Sequence, residues 1–240
     1  MNRNGKIIAA VGTAAVLVAV IVAAVVKTAG GNLDVVGKES VTSFEAVLNT
    51  VPDNVKADET NAGWSLSAPD GSVRFIWSED YSRSALHDVM LELDAAPFVS
   101  AGLDAEKLPE NYAAYEGMLM VGTKLGTDQS VYKGDITPLT AYEQIVNKHR
   151  DSINYHMDLD HYGVKLGDGN MFEWAKNMET NTVKNQDQDK DIVFVLNPEP
   201  LIEAGVDPEK VEGWVYAPVS VMEKGKTLEV YKFLKPFNLK

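Results

Sequence analysis

The sequence predicts an α+β fold in which one unit of about 98 residues, a helix on one face of hairpin-linked antiparallel strands, occurs twice behind a single N-terminal transmembrane helix. Three observations carry this reading: an uncharged apolar run near the N-terminus, an ungapped internal match between two distant segments, and a helix-then-hairpin pattern at the same offset in both halves.

The apolar run is Ile7 to Val26, twenty residues in which only Gly12 and Thr13 are weakly polar. As a helix it spans roughly 30 Å, the thickness of a bilayer's hydrocarbon core. Arg3 and Lys6 precede it and Lys27 follows, which places a cytoplasmic tail at residues 1–6 and everything beyond residue 27 outside the cell. The alternative is a secreted form, cleaved after Ala24. Residues 1–31 carry three basic side chains and no acid, so the whole-chain charge of -13 leaves -16 on the rest. An acidic domain of that kind repels phosphate backbones, and no nucleic-acid partner is expected. With no cysteine, thiol nucleophiles, thiolate metal sites and disulfide staples are all excluded.

The internal match sets Asp88 to Leu108 against Asp191 to Val211, with eight of 21 positions identical, where this composition gives about one or two by chance. Upstream, Thr42 to Asn49 falls on Thr140 to Asn147 at an offset of 98, and Phe75 and Trp77 fall on Phe172 and Trp174 after a one-residue slip. Downstream, Glu116-Gly117 aligns with Glu212-Gly213, and Val131 to Lys133 with Val230 to Lys232. The domain limits are therefore an anchor at 7–26, a linker at 27–39, and copies at 40–137 and 138–240.

Within each copy the elements follow in order. Thr42-x-x-Glu45 and Thr140-x-x-Glu143 have capping-box spacing and predict a helix start at each threonine. Phe44, Val47 and Leu48, or Tyr142, Ile145 and Val146, then form one apolar stripe. Trp64 to Ala68 and Val73 to Trp77, joined by Pro69-Asp70-Gly71-Ser72, read as a hairpin with one buried face, repeated by Tyr162 to Leu166 and Phe172 to Trp174. Val89 to Leu93 and Ile192 to Leu196 predict the third strand. Asp94 or Asn197 caps a short helix that Gly102 or Gly205 stops, and Asp104 or Asp207 caps the next turn. Met118 to Leu125 with Val131 to Lys133, and Trp214 to Val221 with Leu228 to Phe233, complete an α-β-β-β-α-β-β unit.

Polar residues shared by both copies thus have structural roles, and neither a catalytic set nor a cofactor site is expected. The histidines number four, His87, His149, His156 and His161. One segment has ligand-type spacing, His156-Met157-Asp158-Leu159-Asp160-His161. On a strand, His156, Asp158 and Asp160 would share a face and present an imidazole and two carboxylates to a Zn or Mn ion. The first copy has Asp58, Thr60 and Ala62 there, so any ligand bound by His156, Asp158, Asp160 and His161 belongs to the second copy alone. Asn185 to Asp191 resembles a calcium loop but lacks the central Gly and terminal Glu, and reads as an expanded surface loop. Trp64, Trp77, Trp174 and Trp214 are expected in cores. The functional expectation is a membrane-anchored, extracytoplasmic, non-catalytic protein that binds a protein or small molecule. The competing class is a metal-dependent hydrolase or other enzyme using the His/Asp loop.

Overall fold

The computed structural model describes residues 33–68, 71–83, 87–127, 135–157, 159–178, 192–211, 217–223 and 226–234, with backbone alone for 33–34 and for the last two segments. It is α+β. The leading helix α1 (Leu33–Thr50) is followed by strands β1 (Val55–Asp58), β2 (Gly63–Ser67), β3 (Val73–Ser78) and β4 (Val89–Asp94). The short helix α2 (Ala96–Ser100) and strands β5 (Tyr112–Tyr115) and β6 (Met118–Thr123) close the first half. The second half runs α3 (Pro138–Lys148), β7 (Ile153–His156), β8 (His161–Lys165), β9 (Met171–Ala175), β10 (Ile192–Leu196), α4 (Glu199–Glu203), β11 (Ala217–Glu223) and β12 (Lys226–Leu234). Among the described residues no helix is long and apolar enough to cross a membrane, and Ile7 to Val26 lies outside them.

The first sheet has the order β1-β2-β3-β4-β6-β5, antiparallel throughout. The second joins β7, β8, β9 and β10 in the same way, and the β11–β12 hairpin attaches to β10. Pairing registers correspond residue by residue. Trp64 faces Trp77 and Leu66 faces Phe75 in one sheet, while Tyr162 faces Trp174 and Val164 faces Phe172 in the other. Phe75 faces Leu91, and Phe172 faces Phe194. Two aligned helical turns also match, since the Asp104 and Asp207 carboxylates accept the amides of Glu106 and Glu209.

Residues 36–240 form one compact body, and its core is continuous across both sheets. Phe75 and Phe172, fully buried, stack with centroids 4.2 Å apart and planes at 4°. The main helices reach across. Trp77 of the first sheet donates its indole N–H to the Pro138 carbonyl at the start of α3, 2.9 Å. Trp174 of the second sheet donates to Ser43 Oγ on α1, 2.7 Å. Phe44 on α1 meets Tyr142 on α3 at 4.2 Å. Each helix packs on its own copy's sheet, Phe44 on Trp77 at 5.4 Å and Tyr142 on Trp174 at 5.6 Å, and in addition satisfies a buried indole of the opposite sheet, which the sequence reading did not expect. A buried N–H left without an acceptor costs about 1–3 kcal/mol, so these two bonds tie each helix to the other half.

Three corrections concern elements. Thr42 and Thr140 do not start helices as N-caps. Thr42 lies inside α1, its hydroxyl donating to the Lys38 carbonyl, because nothing from Leu33 onward breaks the helix; residues 33–39 of the expected linker are therefore helical. In α3 the box is Thr137 with Thr140, whose hydroxyls each accept the other's amide, and Pro138 sets the start with its fixed φ. The unit also gains a strand before the hairpin, since β1 and β7 are four-residue edge strands too short for a visible alternation. Finally, β6 lies beside β4 and β12 beside β10. The counterpart of Met118–Thr123 is thus β12, not the segment beginning at Trp214, while Val131 to Lys133 lies outside the described residues.

The halves also meet back to back at their short helices. The amide of Asp104 donates to the Ala204 carbonyl at 2.8 Å, and that of Asp207 to the Ala101 carbonyl at 2.9 Å. A Cβ on Gly102 would stand 2.8 Å from the Gly205 carbonyl oxygen, and one on Gly205 2.9 Å from that of Gly102. Both glycines have positive φ, +107° and +98°. At Gly117, also at positive φ (+83°), nothing lies within 4 Å of an added Cβ. Gly117→Ala is expected to cost about 1 kcal/mol of backbone strain, and Gly102→Ala about 2–3 kcal/mol because a backbone clash is added to that strain. Denaturant midpoints of the two variants measure the difference; equal losses would remove the close-approach argument.

Candidate functional site

The His/Asp segment forms the β7–β8 hairpin and its turn. Strand β7 ends at His156, which pairs directly with His161 at the start of β8. The chain reverses between them, with Asp160 in the left-handed region at φ +52°. The strand face expected to carry His156, Asp158 and Asp160 is therefore broken after its first member. The Asp160 carboxylate accepts the Tyr155 hydroxyl, on the opposite side of β7 from His156. Asp158 lies outside the described residues.

What converges on His156 and His161 is a residue the sequence reading passed over, Glu173 on β9. Its carboxylate lies 3.5 Å from His156 Nδ1 and 4.0 Å from His161 Nδ1. Glu173 and His161 are buried, with side chains 3% and 6% exposed, and His156 is 22% exposed. Gly163, opposite Glu173 in the register, makes the room: a Cβ there would stand 3.0 Å from Glu173 Cγ. Met171, Val193 and Val195 pack together on the same sheet face. The available signal was Glu173 standing between Phe172 and Trp174 where the first sheet has Ile76. Among the described residues no group of three or more His, Asp or Glu is arranged to hold a metal ion.

A comparison of equivalent positions is sharper. On the core faces the sheets keep their chemistry: Trp64 and Tyr162, Phe75 and Phe172, Trp77 and Trp174, Leu93 and Leu196. On the outer faces they exchange it. Asp58, Arg74 and Glu92 form an ionic strip in the first sheet, with Arg74 3.1 Å from Asp58 and 2.7 Å from Glu92. Their counterparts are His156, Met171 and Val195. Ile76 and Met90, both buried in the first sheet, become Glu173 and Val193.

Beside the hairpin, Glu39 of α1 accepts the Tyr162 hydroxyl at 2.6 Å and the Lys176 ammonium at 2.8 Å. The Lys176 bond, then the Tyr162 bond, holds the Glu39 carboxyl below its usual range. Tyr155 and Tyr162 stand with rings 5.0 Å apart. The bond to Asp160, then burial, pushes Tyr155 up to about 12, and burial followed by the bond to Glu39 pushes Tyr162 higher still. In the first sheet the places of Tyr155, Asp160 and Lys176 are taken by Ala57, Ala62 and Glu79, so this cluster, which Glu39 of α1 joins from the first half, has no equivalent there. Met157, in the turn, is 78% exposed.

No protein-family model matches the chain, and no match was found among curated proteins or solved structures.

Two outcomes follow from the site. Glu173→Ile, which installs the first sheet's residue, is expected to leave thermal stability unchanged or raise it by about 1–4 kcal/mol, since a buried ionisable side chain gives way to an apolar one of similar size. A loss of several kcal/mol would show instead that the carboxylate holds the sheet together. The tyrosines set an alkaline limb. Above pH 10 the unfolded chain's phenols ionise while Tyr155 and Tyr162 in the folded protein keep their protons. Stability therefore falls as pH rises from 10 towards 12 and beyond. Denaturant midpoints across that range should fall less steeply for Tyr162→Phe than for the unmodified protein, and parallel curves would refute the assignment.

Proposed function

We propose that the protein is a membrane-anchored, extracytoplasmic, non-catalytic binding protein, built from two copies of one unit, whose ligand is recognised by the outer face of the second sheet and the turn at its edge. The observation that carries this reading is the divergence of the two outer faces over a retained core face. A single inherited chemistry would leave matching reactive groups in both halves. Here the matching polar groups include those of the Asp104 and Asp207 turns, whereas His156, His161 and Glu173 stand where the first sheet has Asp58, Gly63 and Ile76.

Exposure supports the turn at that edge, while Glu173, Val193 and Val195 on the sheet face itself are buried. Met157 presents a flexible, polarizable thioether to solvent next to His156, a side chain suited to adaptable apolar contact. Location is supported by the charge-flanked run Ile7 to Val26, which is long enough to stay in a bilayer. The second reading, a metal-dependent hydrolase, is favoured by one observation, the convergence of two imidazoles on one carboxylate.

Three measurements test these readings. The protein is expected in the membrane fraction after a high-salt wash, with residues beyond Lys27 open to external protease; a soluble exported form beginning near Val25 would mean cleavage in place of anchoring. A photo-crosslinking side chain at Met157 is expected to give discrete adducts in intact cells that disappear in the His156→Ala, Glu173→Ile background. The same probe at the exposed Val99 serves as comparison, and equal adducts at both places would sink the binding surface. Melting curves with and without excess chelator are expected to coincide. A chelator-dependent drop abolished by His156→Ala with His161→Ala would favour the hydrolase.

A further inference from the structure

The contacts between the halves have a property that packing alone does not demand: equivalent residues meet each other. Phe44 of α1 meets its counterpart Tyr142 of α3 at 4.2 Å. Phe75 stacks on its counterpart Phe172. Gly102 and Gly205 each present a carbonyl to the other's missing side chain. Two backbone contacts that do not lie between counterparts are reciprocal, Asp104 to Ala204 and Asp207 to Ala101, and Trp77 and Trp174 each donate to the main helix of the other half, whereas the Glu39 bonds to Tyr162 and Lys176 cross the surface on one side only. Self-contact of counterparts together with the exchanged Asp104 and Asp207 bonds is the pattern of an isologous two-fold interface between identical subunits.

We infer that the surface joining the halves is an isologous association surface whose partner is a second copy of the same unit, and that the covalent link between the halves is dispensable for it. Each half taken alone would bare the face bearing Phe75 and Trp77, or Phe172 and Trp174, and would leave its indole N–H without the acceptor that the other half's helix supplies. The linker raises the effective concentration of the partner unit. Two chains can accordingly trade halves. This inference rests on the two-copy reading of the fold and is independent of the ligand surface on the second sheet.

The test uses the full chain with a specific protease site inserted between Gln129 and Ser130, cleaved after folding. The halves are expected to co-elute at the uncleaved mass and melt in a single transition. Two such preparations carrying different tags on the first half, cleaved, denatured together and refolded, are expected to exchange second halves to a near-statistical mixture. Separation of the halves on cleavage, or two independent melting transitions, would overturn the inference. Where a denatured half aggregates, native cleaved protein gives the answer: Gly102→Val should speed release of the second half by about tenfold or more relative to Gly117→Val. Equal release rates would count against a surface closed by the two glycines. Loss of Met157 adducts with unchanged exchange would leave this inference standing while removing the binding surface.

Discussion

Two apolar sheet faces closing on each other, with Phe75 flat against Phe172 at the centre, constrain everything else in this protein. A face carrying two tryptophan-length side chains and a row of aliphatics cannot be left to water. The indole N–H groups of Trp77 and Trp174 find their acceptors on the helices. Helix α1 is placed where Ser43 can reach Trp174, and α3 where its first carbonyl can reach Trp77. At the other end of the body, the short helices must approach so closely that only glycine fits at 102 and 205. Aromatic packing thus determines the helix positions, and those in turn set where backbone may touch backbone.

With the inner faces so constrained, variation is confined to the outer ones. Arg74 bridges Asp58 and Glu92 in a charged strip. Two strands' worth of equivalent positions in the second sheet replace that strip with Met171 and Val195 and move the ionisable groups to the β7–β8 edge. One scaffold therefore displays two different chemistries on its two sides, which a single unit could not do. The same asymmetry appears at the sheet ends. In the first sheet the β5–β6 hairpin turns immediately past Asp94, through Glu116 and Gly117 at positive φ. In the second, all seven β11–β12 pairs lie beyond the Leu196–Phe233 pairing, an arm of roughly 20 Å at the usual strand rise.

Much of this fold could be read from residues, and the failures have physical causes. Hairpins β2–β3 and β8–β9 lie where the residue pattern put them, although both faces of these strands are largely buried and not one face alone. Asp104 and Asp207 announced turns by side-chain chemistry that acts within two residues. The true start of α1 was hidden because the cap-like Thr42-x-x-Glu45 spacing satisfies a local rule while the helix simply runs through it. Local patterns also carry no information on which distant indole a helix satisfies, so the crossing of α1 and α3 was invisible. Gly102 and Gly205 were recognised as helix stops, whereas their mutual contact depends on residues a hundred positions away. The site was the least legible part: His156 and His161 stood out by type, but Glu173 reaches them across strand β8, through the space that Gly163 leaves.

The crossed helices also shape how the chain comes into being. Ser43 and Trp174 are 131 residues apart, and Glu39 and Tyr162 123. At synthesis rates of about 5–20 residues per second, α1 waits on the order of ten seconds for its acceptor strands to exist. During that interval the first sheet has neither its covering face nor its second helix, and loop closure over such separations is slow in any case. The nascent chain must therefore be kept from sticking to its neighbours by something other than its own fold. A strongly acidic composition, repelling like chains throughout the wait, does part of that work before any native contact forms.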